Sequence, residues 1–576
     1  MNNKSFSSFS LLKKLILVTG VFRKTFILSF VLLSFAIAGY DGFCEEVSSN
    51  KEQTQENPAA PVTMEMNLSI KDAVALALEN NLDIAVSKFD PKMRDEDITA
   101  EKAKFDPSYY LNFQTDKSIK PSGSALAGAN TVITRDNSWD TGFKGKIISG
   151  ANYSLDFTNK RTKTNSSFSS LNPQYVSEIK LNLTQPLLRN FGFNVNRTQI
   201  RIAKNNKDIS LYQFKDTVMA TISNTEQTYW DLIFSIENYR VSQLSLKRAE
   251  DLYIRNKKQV EVGTLAPIEI LVAESEVAAR KEGVIVAEAA IKTAEDKLKK
   301  LINLKGGDET WETRITPTEK PVFAMKEFDL DESLNIAFQK RPDYLQALVD
   351  LDNKGISLKF ANNQLLPILN FVGNFGLNGL SGRKRPSGFG NQTRVVPDPN
   401  NPGHVQFIAP QPFDRNDNPL GESYEMALQR IGTGNYYSWV VGLQLEIPLG
   451  NRAARSSYTK SAIDNDKAIT NLANLRQKII VEMRDVVRSA KTNIERTEAT
   501  KKARELAVKQ LEAEEKKYEV GMVTTHELLE FQEALAKAEV DELKALTDYN
   551  KSLVAVEKSK GTILDTNDIK VDEPKM

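Results

Sequence analysis

The side chains that most often do chemistry are scarce in this chain. It has two histidines, His404 and His526, and one cysteine, Cys44. A lone thiol makes no intramolecular bridge, and two separated histidines leave little for a metal site. His404 lies in a stretch rich in Pro and Asn, and His526 follows Thr524-Thr525, where a helix would be capped. Neither has a Ser or Cys arrangement that would make it the base for a nucleophile. The expectation is a protein that is not an enzyme, with no catalytic residue, metal site or cofactor. Lys and Arg total 76 against 75 for Asp and Glu, a net charge of +1. That balance gives no general attraction for a polyanion, so nucleic acid is not an expected partner.

What remains is a pair of short motifs and the frame that places them. Val262-Gly263-Thr264, followed by Glu269-Ile270-Leu271 and Glu274, returns as Val520-Gly521-Met522, followed by Glu527-Leu528-Leu529 and Gln532. Ile70-Lys71-Asp72-Ala73-Val74 pairs with Leu330-Asp331-Glu332-Ser333-Leu334, and Pro186-Leu187 with Pro448-Leu449. The three offsets, 262 to 520, 70 to 330 and 186 to 448, all lie near 260 residues. A duplication on this scale means two structurally similar halves. We divide the chain into residues 67–327, residues 328–563 and a C-terminal tail, 564–576. Glycine permits a tight turn or a close approach, so Gly263 and Gly521 each mark a turn between helices.

The N-terminus reads as an export signal over residues 1–38. Lys13, Lys14, Arg23 and Lys24 form a basic region, Phe26 to Ala36 an apolar core too short to span a bilayer, and Ala36-Ile37-Ala38 a small-x-small cleavage site. The competing reading is a lipoprotein signal ending at Cys44, against which Phe43 and Asp41 stand where small residues are expected. Residues 39–66, with the polar stretch Gln53 to Pro61, read as a flexible segment. Beyond Gly39 no run approaches the roughly 20 apolar residues of a membrane helix.

Each half reads as helix, strands, long helix, short break, helix. In the first, Ile70 to about Lys104 is helical. Four runs then alternate apolar and polar residues, around Tyr109-Leu111-Phe113, Trp139-Phe143-Ile147, Tyr153-Leu155-Phe157 and Ile179-Leu181-Leu183, with a turn at Ser149-Gly150. Pro186 ends the last, and Asn196 to about Gln259 has neither Pro nor Gly, a helix of roughly 96 Å at 1.5 Å per residue. After Gly263, Pro267 stands where a first helical turn tolerates it, and the helix runs to about Leu304. The second half predicts a helix from Leu330 to about Asn362 broken near Pro342, strands around Leu369-Phe371-Phe375 and Tyr437-Trp439-Val441-Leu443, and a helix from about Ala453 to Tyr518. Thr524 to Glu527 is a capping box. Between its strands, Ser381 to Asn435 reads as one long extracellular loop.

Strict alternation fits a sandwich or a membrane barrel. The export signal, the aromatic pair Tyr437 and Trp439, and the few strands per chain favour a barrel closed by several copies, because an open edge in lipid has no water to satisfy it. In the last long helix, Leu472, Leu475, Ile479, Met483, Val486, Ala490 and Ile494 make six steps across 22 residues, about 3.67 per step. That is near an eleven-residue repeat, which lets helices run almost straight. A generic antiparallel coiled coil fits the same stripe.

Taken together these residues resemble the TolC-type outer-membrane efflux proteins, from about Leu68 to Ile563. The carriers are Leu68 to Ala77 with Asn80-Asn81-Leu82, Leu330 to Ala337, Thr184-Gln185-Pro186-Leu187-Leu188 with its echo Glu446-Ile447-Pro448-Leu449, and the two Val-Gly tips. The resemblance implies an α+β membrane protein: a homotrimer with one joint β-barrel in outer-membrane lipid, continued by a long periplasmic α-helical barrel. It implies an exit duct for efflux or type I secretion. The duct would dock a periplasmic adaptor (membrane fusion protein) linked to an inner-membrane RND, ABC or MFS transporter. It carries adaptor docking onto Val262, Gly263, Thr264, Val520, Gly521 and Met522, and strand-to-helix turns onto Pro186 and Pro448. Charged aperture rings in that family point to Glu512, Glu514 and Glu515, for which a solvated outer face is the plainer reading. The chain departs from the family in its first half, with four alternating runs where two are usual. The rival to the whole reading is a periplasmic coiled-coil scaffold or adaptor without membrane insertion.

Overall fold

The computed structural model describes residues 65–123, 127–305, 311–385, 394–397, 405–408 and 420–570. The export signal, Cys44 and His404 lie outside these residues, as does most of the expected flexible segment. That segment's last residues start a strand, β1 (Glu65–Leu68), which pairs in parallel with β6 (Arg314–Pro317). Alternation over four residues was too short to announce either one.

The leading helices of the two halves are built alike. In α1 (Ile70–Asn80) the Ser69 hydroxyl accepts the Asp72 N–H at 3.1 Å, and Ala73, Val74 and Ala77 face inward. The second-half counterpart, Leu330–Lys340, is capped by Asp329 and buries Ser333 and Ala337. Both end on an extended residue, Asn81 (φ −62, ψ 128) and Arg341 (φ −64, ψ 122). The single helix expected from Ile70 to Lys104 is three: α1, α2 (Leu82–Ser87) and α3 (Phe89–Ala103). Asn81 makes the first break. Its Oδ1 accepts from the N–H groups of Asp83 and Ile84, starting a new helix, while its Nδ2 donates to Leu301 O at 3.0 Å. A side chain that caps from within a helical run competes with the helix itself.

Six strands form one antiparallel sheet: β2 (Ser108–Pro121), β3 (Thr131–Lys146), β4 (Asn152–Thr164), β5 (Leu171–Pro186), β7 (Ile368–Lys384) and β10 (Tyr437–Glu446), in the order β10-β7-β5-β4-β3-β2. The first half supplies four and the second two. Register places Phe113, Trp139, Asn159, Ser177 and Gly379 in one row across the sheet. The row through Leu111, Thr141, Phe157, Ile179, Leu377 and Tyr437 lies on the same face. The other face carries Asn112, Asp140, Asp156, Lys180 and Asn374. Within the expected loop Ser381–Asn435, β7 continues to Lys384. A short strand pair, β8 (Arg394–Pro397) with β9 (Val405–Ile408), and a helix, α9 (Tyr424–Thr433), follow. Numbering the helices in chain order, α4 (Phe193–Asn196), α5 (Thr198–Glu261), α6 (Ile268–Ile302), α7 (Leu330–Lys340) and α8 (Pro342–Asn363) precede it. The amphipathic spacing of Tyr424, Ala427 and Ile431 is hidden in a Pro-, Gly- and Asn-rich stretch. Ala427 and Ile431 are buried on the sheet's apolar face, where a Cβ at Gly379 would stand 2.1 Å from the Ala427 carbonyl oxygen.

The long helices are α5, with 64 residues, and α10 (Arg452–Glu519), with 68. Each folds back through a short break, α5 onto α6 and α10 onto α11 (Thr525–Lys560), and α5 also packs against α11. The buried stripe of α10 runs Ile479, Met483, Val487, Ala490, Ile494, so Val487 takes the place expected of Val486, which is at the stripe's edge. The leading helices pack on the middles of these long ones and on the C-terminal ends of the helices that follow them: α1 against Tyr229 and Leu232 of α5 and Leu298 of α6, α7 against Ile479 and Met483 of α10 and Val556 of α11. The chain past Ile563 is not a bare tail. A last turn, α12 (Ile563–Thr566), brings Leu564 and Ile569 onto the core around Phe214 and Ile222.

Candidate docking site at the paired helix tips

The two Val-Gly motifs end α5 and α10 with the same hydrogen bonds. Gly263 N–H donates to Val260 O at 3.0 Å and Thr264 N–H to Gln259 O at 2.8 Å; Gly521 N–H donates to Tyr518 O at 3.0 Å and Met522 N–H to Lys517 O at 3.0 Å. Each pair is a Schellman cap, with the glycine as the left-handed residue just past the helix. Their φ values, +78 and +77, are those an L side chain rarely adopts. Nothing lies within 4 Å of a Cβ built at either position. The backbone turn therefore accounts for glycine at both sites, and no described part of this chain crowds them.

Around the glycines the tips are apolar and uncovered. Val262 is 74% exposed, Val520 67% and Met522 77%. Ile268 and Leu271, at the start of α6, are also exposed. Beside them a groove between α6 and α11 is lined by Leu271, Ser275, Glu276, His526 and Glu530. The restart after Gly521 is the expected capping box: Glu527 N–H donates to Thr524 Oγ1 at 3.3 Å and Thr524 N–H to Glu527 Oε2 at 3.0 Å. Pro267 precedes α6 as its cap residue, without a side-chain hydrogen bond.

One feature of the site escaped sequence reasoning. Asn256 is fully buried nearly two turns before the first tip, and its Nδ2 donates to Thr525 Oγ1 at 3.0 Å. The Tyr518 hydroxyl donates to Asn256 Oδ1. Three polar residues from α5, α10 and α11 thus tie the two halves together directly behind their tips, above an apolar cluster of Leu252, Leu511, Leu528 and Leu529. Asn256 sits in a polar run, Arg255 to Gln259, where nothing distinguishes a buried amide from a solvated one.

Pro186 is the last residue of β5, opposite Asn370. Pro448 lies just past β10. Left-handed residues follow each before its long helix begins, Asn190 and Gly192 in the first half, Gly450 and Asn451 in the second. The repeat therefore extends to both strand-to-helix turns.

The family model for outer membrane efflux proteins matches residues 151–304 and 334–562. This chain belongs to the outer membrane efflux protein family. Solved channels share the fold at low identity. The Campylobacter jejuni CmeC outer membrane channel aligns with TM-score 0.59 at 17% identity, over 91% of this chain and 94% of its own. OprN aligns with TM-score 0.60 at 14%, over 91% and 99%. The Neisseria gonorrhoeae MtrE channel, in its open state, aligns with TM-score 0.55 at 14%, over 91% and 98%. A search of curated proteins finds no match. As a member of that family, this efflux protein resides in the outer membrane.

The three expected aperture carboxylates differ in surroundings. Glu512 is exposed and Glu515 half-buried, while Glu514 pairs with Lys517 at 2.7 Å. Among the described residues no group of His, Cys, Asp or Glu is placed to hold a metal ion. No described helix is long and apolar enough to cross a membrane.

Proposed function

We propose that this efflux protein works as a homotrimeric exit duct, passive in itself, that receives substrate from an inner-membrane RND, ABC or MFS transporter through a periplasmic adaptor docked on the helix tips. The observation that carries the reading is the apolar face of a sheet with two open edges, uncovered outside the patch on which α9 packs. On β10, Tyr437, Trp439, Val441, Leu443 and Leu445 are all exposed. Eight residue steps at about 3.4 Å, tilted by about 40°, raise that row through roughly 21 Å, near the height of an apolar barrel band. Such a face is stable in lipid and costly in water. The edges β2 and β10 cannot face lipid unpaired, because their backbone groups would lack partners. Closure by further copies satisfies both requirements at once.

The tips are the docking surface in this reading: Val262, Gly263 and Thr264 on one, Val520, Gly521 and Met522 on the other. Their apolar side chains are presented at the ends of paired helices, and burying them against an adaptor's own helices would contribute about 25 cal/mol per Å². Pro186 and Pro448 mark where barrel passes into tunnel. The test is the mass of the mature protein purified from membranes. A detergent-requiring trimer that fractionates with outer-membrane markers is expected. A monomer stable in buffer without detergent would overturn the reading in favour of a periplasmic scaffold.

A further inference from the structure

We propose that β2 and β10 are contact surfaces for further copies of this chain, and that three copies close a barrel of eighteen strands, six from each. This rests on the trimeric reading above and specifies the wall. Its basis is the hairpin β3–β4, which gives the first half twice the strands of the second.

The hairpin is part of the wall by four observations. Its ladder is continuous: β3 pairs with β2 and β4 with β5 over nearly their whole lengths. Its apolar residues, Trp139 and Phe143 on β3, Leu155 and Phe157 on β4, lie on the face that carries Ile179, Leu181 and Phe375. Its inner turn is anchored where β5 passes into α5. There Ser149 Oγ bonds Gln185 Oε1 at 2.9 Å, and Gly192 N–H donates to Ser149 O at 3.1 Å. A Cβ at Gly150 would stand 2.4 Å from Asn190 O. On the polar face, Tyr110 reaches across Gly142 of β3 to Asp156 of β4 at 2.7 Å, and Asn182 of β5 bonds the same carboxylate at 2.8 Å. The family match begins at Ala151, so β2 and β3 lie outside it.

The edges fit each other. β2 leaves α3 and runs away from the helices, and β10 returns to them to enter α10. Every neighbouring pair in the sheet is antiparallel, and β10 beside the β2 of a second copy continues that pattern. With strands about 4.8 Å apart and tilted about 40°, eighteen strands enclose a backbone cylinder roughly 36 Å across, whereas twelve would enclose roughly 24 Å.

The test is electron cryomicroscopy of the full-length trimer in lipid nanodiscs, supported by cross-linking in membranes on a Cys44→Ala background. Eighteen strands are expected in cross-section. A bifunctional maleimide should join Gln444→Cys on β10 to Gln114→Cys on β2 of a neighbouring copy, yielding dimers and trimers. A trimer with twelve wall strands, or efficient joining of Gln444→Cys to Thr158→Cys on β4 of a neighbour in place of β2, would overturn the inference while leaving the exit-duct reading intact. A detergent-solubilised protein that is not a trimer would overturn both.

Discussion

Substituting Gly263 and Gly521 together, by Ala, Asn or Trp, separates a turn from a docking surface. The left-handed backbone costs an ordinary L residue about 1–2 kcal/mol, and Asn less because its side chain bonds locally. Since nothing lies within 4 Å of a Cβ at either tip, Trp adds no internal clash and costs what Ala costs. Two tips together lose about 2–4 kcal/mol for Ala or Trp. That loss is local to two helix ends, far along 64- and 68-residue helices from the sheet. Folding should therefore rank Gly, then Asn, then Ala and Trp together, read as thermal unfolding of the purified protein. Docking depends on side-chain bulk, so export should rank Gly, Ala, Asn, Trp. Export is read as energy-dependent dye accumulation in cells whose own copy is replaced. The two orders disagree over Ala and Asn, and over Ala and Trp. Normal export by the Trp pair, or export that follows the folding order, would refute docking at these tips and leave two plain hairpin turns.

Three further outcomes follow from the described contacts. Gly379→Val places a side chain against the Ala427 carbonyl, so α9 must lift from the sheet; trypsin applied to whole cells should then cut near Arg430, while intact α9 in the parent protein resists. Asn256→Ala removes one hydrogen bond from each of the buried hydroxyls of Tyr518 and Thr525, which keep their 3.3 Å bond to each other, about 0.5–1.5 kcal/mol of local stability for each bond lost; amide exchange should quicken at both tips together, and quickening at the first tip alone would show that the two are not coupled through Asn256. Burial holds the Glu226 carboxyl above the usual carboxylate range, against a hydrogen bond from Asn567 and with added repulsion from Glu557. A raised carboxylate favours the fold below its unfolded pKa and loses that advantage as pH rises through the folded value. Glu226→Gln should accordingly raise the melting temperature at pH 8 and leave it unchanged at pH 4.

The long-range frame was legible because it rests on repetition and period. Two Pro- and Gly-free runs announced α5 and α10 to within two residues at most ends, and strict alternation announced all six strands of the sheet. What was not legible depends on single side chains. Asn81 ends α1 only because Leu301 and two N–H groups meet its amide, and those partners come from opposite ends of the first half. The helix α9 exists on the sheet because Gly379 leaves room for it, a relation between residues about 50 apart that neither shows alone. At the tips the motif was legible and its reason was not. Glycine suggested either a turn or a close approach, and the bonds of Gly263 and Gly521 show the turn, with space left around it.

The halves are most alike where the chain reverses and least alike in the sheet that we propose as the barrel wall, and strand parity explains how both are possible. A strand run that begins at one helix and must end at another on the same side of the membrane needs an even number of crossings. Adding one strand would deliver α5 to the wrong side. Adding a whole hairpin, β3 and β4, widens the wall by two strands and returns Pro186 to the position that Pro448 holds in the second half. The added turn at Ser149–Gly150 then falls at the helical end, where Gln185 and Gly192 bond it. The wall can therefore change width without moving any junction between strand and helix, and the tips, a helix-length away, keep the same cap.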